Sequence, residues 1–249
     1  MIKLLIVIPA RYASTRFPGK PLIDIAGKTM IQRVWEQANK VTGFETKVVI
    51  ATDDERIITA AQCFGAQTIA TDPKHPSGTD RCFEAATQSG FEFDILVNIQ
   101  GDEPFIQPSQ IETLANNLWN SDASIGTLKR TISSIEEISN PNSVKVVCDY
   151  NNNALYFSRS AIPYNRDNTD NCIYFKHLGI YAFKKAIIDS IKQLQPGNLE
   201  QIEKLEQLRW LQNGYKIMVS ETDFQSPAID SPTDLQYVEI FLKDYPQFQ

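Results

Sequence analysis

The sequence predicts an α/β fold: a doubly wound, mostly parallel sheet with an added mixed or antiparallel section. Three observations carry this. Short apolar runs read as fully buried strands: KLLIVI (Lys3–Ile8), KVVIAT (Lys47–Thr52) and DILVNI (Asp94–Ile99). Amphipathic helical patterns with capping residues separate them. After residue 120 strands follow one another without regular helices between them.

The elements follow in order. The first strand stops at Pro9, and residues 9 to 20 form a loop rich in Ser, Thr, Pro and Gly. Thr29 with Gln32 is a capping-box pattern, opening a helix with Ile31, Val34, Trp35 and Ala38 on one face. After the second strand, Asp53 is the expected cap of a helix through about Phe64, and a short strand covers Gln67–Ala70. The loop TDPKHPSG (Thr71–Gly78) leads into a helix starting near Thr79. The third apolar run gives way to the loop QGDEPFIQP (Gln100–Pro108). Ser109 with Glu112 is the expected cap of the next helix, through about Trp119. Strands are then expected at Ala123–Arg130, Ser143–Cys148, Ala154–Phe157 and Tyr174–Phe183. A helix at about Leu199–Asn213 is stopped by Gly214. A strand covers Lys216–Ser220, and a last helix begins after Ser231-Pro232. The whole reads as one domain over residues 1–249, with one half at about 1–120 and a second section at about 121–220.

Composition narrows the function. A chain of 249 residues can bury a core without staples. No apolar run approaches the roughly 20 residues of a membrane span, and Leu4–Ile8 is too short for a signal-peptide core. A cytoplasmic location, with no membrane insertion, follows by default. Cys63, Cys82, Cys148 and Cys172 are far apart and form no CxxC pair, so they read as reduced thiols. Only His75 and His177 are present, which excludes a histidine-rich metal centre. The net charge of −6 argues against nucleic-acid binding.

Local charge is uneven. Residues 1 to 23 hold Lys3, Arg11, Arg16 and Lys20 and no acid. The segment IPARYASTRFPGK combines those cations with Ala10, Ala13, Ser14 and Gly19, which let backbone N–H groups approach an anion. Arg binds phosphate as a planar fork and Lys as a point charge. The plain alternative is a solvated loop whose cations pair with acids elsewhere. Neither GxGxxG nor GxxxxGK[ST] is present, which weakens a dehydrogenase reading and excludes a P-loop NTPase. The loops at 9–20, 71–78 and 100–108 all follow strands, so they share the sheet edge where ligands of such folds sit. Asp102 and Asp230 have no evident capping job; each is otherwise a solvated acid. His177, Gly179 and Tyr181 alternate along an expected strand, so His177 and Tyr181 share a face, either as packed core or as a ligand pair. Glu206 is four residues after Ile202 and seven after Leu199, near an apolar helical stripe, and there it needs a cation or a ligand.

IPARYASTRFPGKPL resembles the signature of 3-deoxy-manno-octulosonate cytidylyltransferases, also called CMP-Kdo synthetases. The resemblance continues through VNIQGDEPFI (97–106), NPNSVKVV (140–147), ALYFSRSAIPY (154–164), KHLGIYAF (176–183) and LEQLRW (205–210). It implies a nucleotidyltransferase-like variant of the Rossmann fold, with a substrate and dimerisation section. It also implies transfer of CMP from CTP to the eight-carbon acid sugar for lipopolysaccharide biosynthesis, with Mg2+ as cofactor and a homodimer. Carried over, Arg11, Ser14, Arg16 and Lys20 contact the CTP phosphates, and Asp102 and Asp230 hold magnesium. Lys20, Asp102 and Asp230 are the catalytic set. Ser77, Gly78 and Thr79 border the base; Gln100 and Gly101 lie near nucleotide and sugar. Arg159, His177, Tyr181, Glu206 and Gln207 contact the sugar. Arg81 is left without an assigned role, a helix-surface arginine being the common case at such a position. The 8-amino-3,8-dideoxy analogue is the alternative acceptor. A non-catalytic binder would lack the metal acids or the phosphate cations, and Asp102, Asp230, Arg11 and Lys20 are all present.

Overall fold

A computed structural model describes residues 1–13, 17–167, 169, 171–224, 229 and 234–248, apart from the side chains of residues 239 and 247. These form two compact units, Met1–Glu112 with Gln225–Gln249, and Thr113–Phe224.

In the first unit, β1 (Lys3–Ala10) is followed by a short hairpin of β2 (Asp24–Ile25) and β3 (Lys28–Thr29). Then come α1 (Met30–Ala38), β4 (Glu45–Thr52), α2 (Glu55–Cys63), β5 (Gln67–Ala70), α3 (Gly78–Gln88), β6 (Ile95–Asn98) and the start of α4 (Pro108–Trp119). The strands lie side by side in the order β6-β1-β4-β5, all parallel. Leu4 to Ile8 of β1 are fully buried, as a central strand requires. The chain runs from β1 out to β4 and β5, then returns to the other side of β1 as β6. With right-handed crossovers, that reversal puts helices on opposite faces and opens a crevice at the carboxyl ends of β1 and β6.

Most local expectations hold. Thr29 caps α1, its side chain accepting from Gln32 N at 3.3 Å. Ser77 caps α3 by accepting from Asp80 N at 3.1 Å. Two caps differ. Asp54, rather than Asp53, caps α2, accepting from Arg56 N at 3.0 Å. Helix α4 opens at Pro108, a natural first position, so Ser109 already lies inside it. Glu112 turns instead to Thr42, accepting from its N at 2.7 Å and its Oγ1 at 2.9 Å.

The second unit contains β7 (Ile125–Thr131), a short α5 (Ile135–Ser139), β8 (Lys145–Cys148), β9 (Ala154–Ser158), β10 (Phe175–Lys184), α6 (Ile188–Lys192), α7 (Asn198–Glu203), α8 (Gln207–Gln212) and β11 (Ile217–Glu221). Its sheet is mixed: β11 runs parallel to β7, while β10 is antiparallel to β7 and β8, and β9 is antiparallel to β8. The single helix expected at 199–213 is two, broken where Lys204 adopts φ 54°. The stripe argument for Glu206 therefore fails: Ile202 belongs to the preceding helix and is exposed. Glu206 instead stands at the entrance of α8. The last helix, α9 (Leu235–Asp244), belongs to the first unit. The expected cap at Ser231-Pro232 lies outside the described residues. No helix among the described residues is long and apolar enough to cross a membrane.

Candidate active site

In the first unit, a cavity of about 280 Å³ opens at the β1/β6 crevice. It is lined from three loops: Pro9, Ala10, Arg11, Lys20 and Pro21 after β1; Pro76, Gly78 and Arg81 before and within α3; Gln100, Gly101 and Asp102 after β6. The topological reversal explains why loops distant in sequence converge there.

Close approach is built into the backbone. A Cβ on Gly101 would sit 2.9 Å from the carbonyl oxygen of Pro9, so only glycine lets the β6 loop lie against the end of β1. Gly19 has φ +74°, and its N–H donates to the Tyr12 carbonyl at 2.9 Å, closing the neck of the loop between them. The Tyr12 ring is covered by the Arg56 guanidinium at 3.3 Å from the ring centroid. Asp54 aims that guanidinium, accepting from Nε at 2.8 Å and Nη2 at 2.6 Å. Ser14 and Arg16, expected on the phosphates, lie outside the described residues, as does Asp230.

The cations are placed individually. Arg11 donates through Nη2 to the carbonyls of His75 and, at 3.4 Å, Ser77, which aligns its fork with the α3 loop. Lys20 Nζ lies 2.8 Å from Asp102 Oδ2; the lysine is buried, whereas the Asp102 side chain is 43% exposed. Asp102 therefore holds the lysine with one face and keeps another toward solvent.

Arg81 departs from the common surface case: it is fully buried. Its Nη1 donates to Thr71 Oγ1 at 2.5 Å, and its Nη2 lies 2.8 Å from Asp53 Oδ1. Its Nε has no hydrogen-bond partner among the described residues. Burial pushes the guanidinium below its ordinary value, Asp53 pulls it back up, and Arg11 pushes it down. An arginine stays charged through such shifts, so it adds a fixed positive charge to the pocket lining. Nothing in its sequence spacing separates it from a solvated helix residue. Ser77, Gly78 and Thr79 form the cap and first turn of α3; Gly78 lines the cavity, whereas Ser77 Oγ is engaged with Asp80.

The second unit gathers His177 and Tyr181 among buried aromatic rings, and Gln207 is buried at the start of α8. Strand β10 slips by two residues against β7 between Leu178 and Tyr181, and a slip of two preserves the alternation. His177 and Tyr181 therefore still share a face, with ring centroids 5.4 Å apart. Phe157 meets His177 edge-on at 4.9 Å, and Trp210 meets Tyr181 edge-on at 5.0 Å. Burial, helped by Lys176, lowers His177 to about 3. Burial, then the Glu206 charge, raises the Tyr181 hydroxyl well above its usual range. Both rings are therefore neutral at physiological pH.

The guanidinium of Arg159, expected against the sugar, is engaged by the protein backbone. Its Nε donates to the Glu203 carbonyl at 2.7 Å, Nη1 to Pro141 at 2.9 Å and Nη2 to Lys204 at 3.4 Å. All three guanidinium nitrogens serve backbone oxygens, and the residue ties β9 to the break between α7 and α8.

A family model described as cytidylyltransferase matches residues 5–217. A 3-deoxy-manno-octulosonate cytidylyltransferase from Cytophaga hutchinsonii is 50% identical, over 94% of this chain and 95% of that protein. An 8-amino-3,8-dideoxy-manno-octulosonate cytidylyltransferase from Shewanella woodyi is 47% identical, over 94% and 96%. The solved structure of a CMP:2-keto-3-deoxy-manno-octonic acid synthetase complexed with CTP superposes with a TM-score of 0.91 at 44% identity, covering 97% of this chain and 99% of that one.

Proposed function

The chain belongs to the 3-deoxy-manno-octulosonate cytidylyltransferase family, and from that membership we propose how its two units share the work. It is a nucleotidyltransferase that moves CMP from CTP to 3-deoxy-manno-octulosonate. The anomeric hydroxyl oxygen bonds to the α-phosphorus, the bond to the bridging oxygen of the β-phosphate breaks, and pyrophosphate leaves. Positioning and charge neutralisation carry such a transfer.

The observation that carries the reading is the cavity at the β1/β6 crevice, lined by Arg11, Lys20, Arg81 and Asp102. A triphosphate brings about four negative charges, and magnesium prefers one or two carboxylates with phosphate oxygens and water. The half-exposed Asp102 carboxylate suits that role, with Asp230 as the second acid. Magnesium, when bound, neutralises phosphate charge and polarises the attacking hydroxyl. Lys20 orients Asp102, Arg11 engages phosphate, and the first turn of α3 borders the base. In the second unit, His177, Tyr181, Glu206 and Gln207 read the sugar hydroxyls, while Arg159 holds the surrounding backbone.

Purified protein with CTP, magnesium and either acid sugar tests this by pyrophosphate release. Release with 3-deoxy-manno-octulosonate is expected to exceed that with its 8-amino analogue, and no release with either sugar would overturn the reading. A homodimer and a cytoplasmic location belong to the same proposal. Leu155 on β9, Tyr164 and Ile173 are exposed apolar side chains of the second unit, suited to a second copy of the chain. Sedimentation as a monomer at micromolar concentration would remove the dimer; recovery of the protein with the envelope fraction would remove the location.

A further inference from the structure

Thr127 stands on β7 opposite Tyr181, fully buried, and its hydroxyl is surrounded by three polar atoms. His177 Nε2 lies 2.9 Å from Oγ1, the Ile180 carbonyl 2.8 Å and the Leu178 carbonyl 3.1 Å. Both carbonyls are at the two-residue slip of β10. A hydroxyl has one proton and two lone pairs. Carbonyls can only accept, so if the threonine proton went to Nε2, both carbonyls would lose their bond to Thr127. If the proton goes to Ile180, the Oγ1 lone pair faces Nε2, which must then carry a hydrogen. The second arrangement makes two hydrogen bonds and the first makes one.

From this proton count we infer that Thr127 fixes His177 as the neutral tautomer with hydrogen on Nε2, presenting Nδ1 as a hydrogen-bond acceptor for a hydroxyl of the acid sugar. The ring is buried and, at about 3, far from protonation at neutral pH. Nδ1 has no hydrogen-bond partner among the described residues. The Tyr181 hydroxyl, on the adjoining ring, is buried and equally without one. An acceptor beside a phenol reads a hydroxyl group; an unprotonated imidazole nitrogen repels a carboxylate. The pair therefore addresses the neutral part of the sugar, and Thr127 is a positioning residue acting through His177. This rests on the assignment of His177 to the sugar site, but the tautomer itself does not.

Because the chain has only two histidines, His75→Gln leaves a single imidazole for nitrogen NMR at neutral pH. The spectrum is expected to show hydrogen on Nε2 alone, and hydrogen on Nδ1 or on both nitrogens would overturn the inference. Thr127→Val removes the acceptor for Nε2–H. It is expected to shift the spectrum toward the other tautomer and raise KM for the sugar by about tenfold, with KM for CTP unchanged. Thr127→Ser keeps the hydroxyl and is expected to restore both. A tautomer change with sugar KM unmoved would overturn the acceptor role. Absence of turnover in the unsubstituted protein would overturn the assigned reaction instead. Should Thr127→Val fail to fold, the His75→Gln spectrum and the serine variant still decide.

Discussion

The cavity of the first unit and the aromatic cluster of the second offer their proposed ligands opposite chemistry. In the first, Arg11, Lys20 and Arg81 are fixed by carbonyls and carboxylates at strand ends, leaving a charged and partly open lining. In the second, His177 and Tyr181 are buried, uncharged and set among Phe157, Phe183 and Trp210. The contrast fits the ligands proposed for each. A triphosphate needs fixed positive charge that survives partial hydration, whereas sugar hydroxyls need neutral donors and acceptors whose direction is set by packing. The first unit holds charges in place; the second suppresses them by burial.

The largest expected effect strikes the charged side of that contrast. Asp102→Ala removes a partner of Lys20 and the proposed metal carboxylate. It is expected to lower kcat by at least about 10²–10³-fold with the melting transition retained, read by pyrophosphate release and calorimetry. Turnover close to that of the unsubstituted enzyme would mean that the first unit does not work through this acid.

Arg81→Met ranks next, because it strands Asp53 and Thr71. Removing one partner of a buried ion pair costs roughly 3–5 kcal/mol. The side chain of Asp53 is 26% exposed, so the loss expected in urea unfolding falls below that range. An unchanged unfolding midpoint would show that Arg81 is not an anchor of the charged lining.

The smallest effect concerns pH and the neutral cluster. His177 sits at about 3 in the folded protein against an ordinary 6.5. The unfolded chain therefore binds the extra proton first. The resulting stability is fully present above about 6.5 and is lost as pH falls toward 3, at up to about 1.4 kcal/mol per pH unit. His177→Asn is expected to flatten the fall in melting temperature between pH 6.5 and 5. Parallel curves for both proteins would mean that this ring is not held neutral.

Several of these features were legible in the sequence for identifiable reasons. The β1 run, the cap at Thr29 and the stop at Gly214 depend on neighbours within a few residues. The sequence pattern joins 199–213 into one helix because Lys204 adopts a positive φ that no residue type at that position announces. The resemblance assigns Arg159 to the sugar, and its residue type alone does not reveal its neighbours. Its actual partners are carbonyls at Pro141, Glu203 and Lys204, up to 45 positions away. The role of Arg81 stays open in the sequence because α3 shows no pattern that marks one arginine as buried. Its burial depends on Asp53 and Thr71 at the ends of two other strands.

By itself the sequence determined the alternation of buried strands and helices, the family, and the residue types needed for phosphate and sugar. Periodicity and motif are local properties, and the chain carries them directly. The tertiary structure decided which of those side chains are spent on the protein itself and which protonation state they hold. Arg159 is committed to carbonyls, Arg81 is sealed in as a fixed charge, and His177 is kept neutral beside Thr127. Those outcomes depend on desolvation and on partners distant along the chain, which exist only once the sheets have formed.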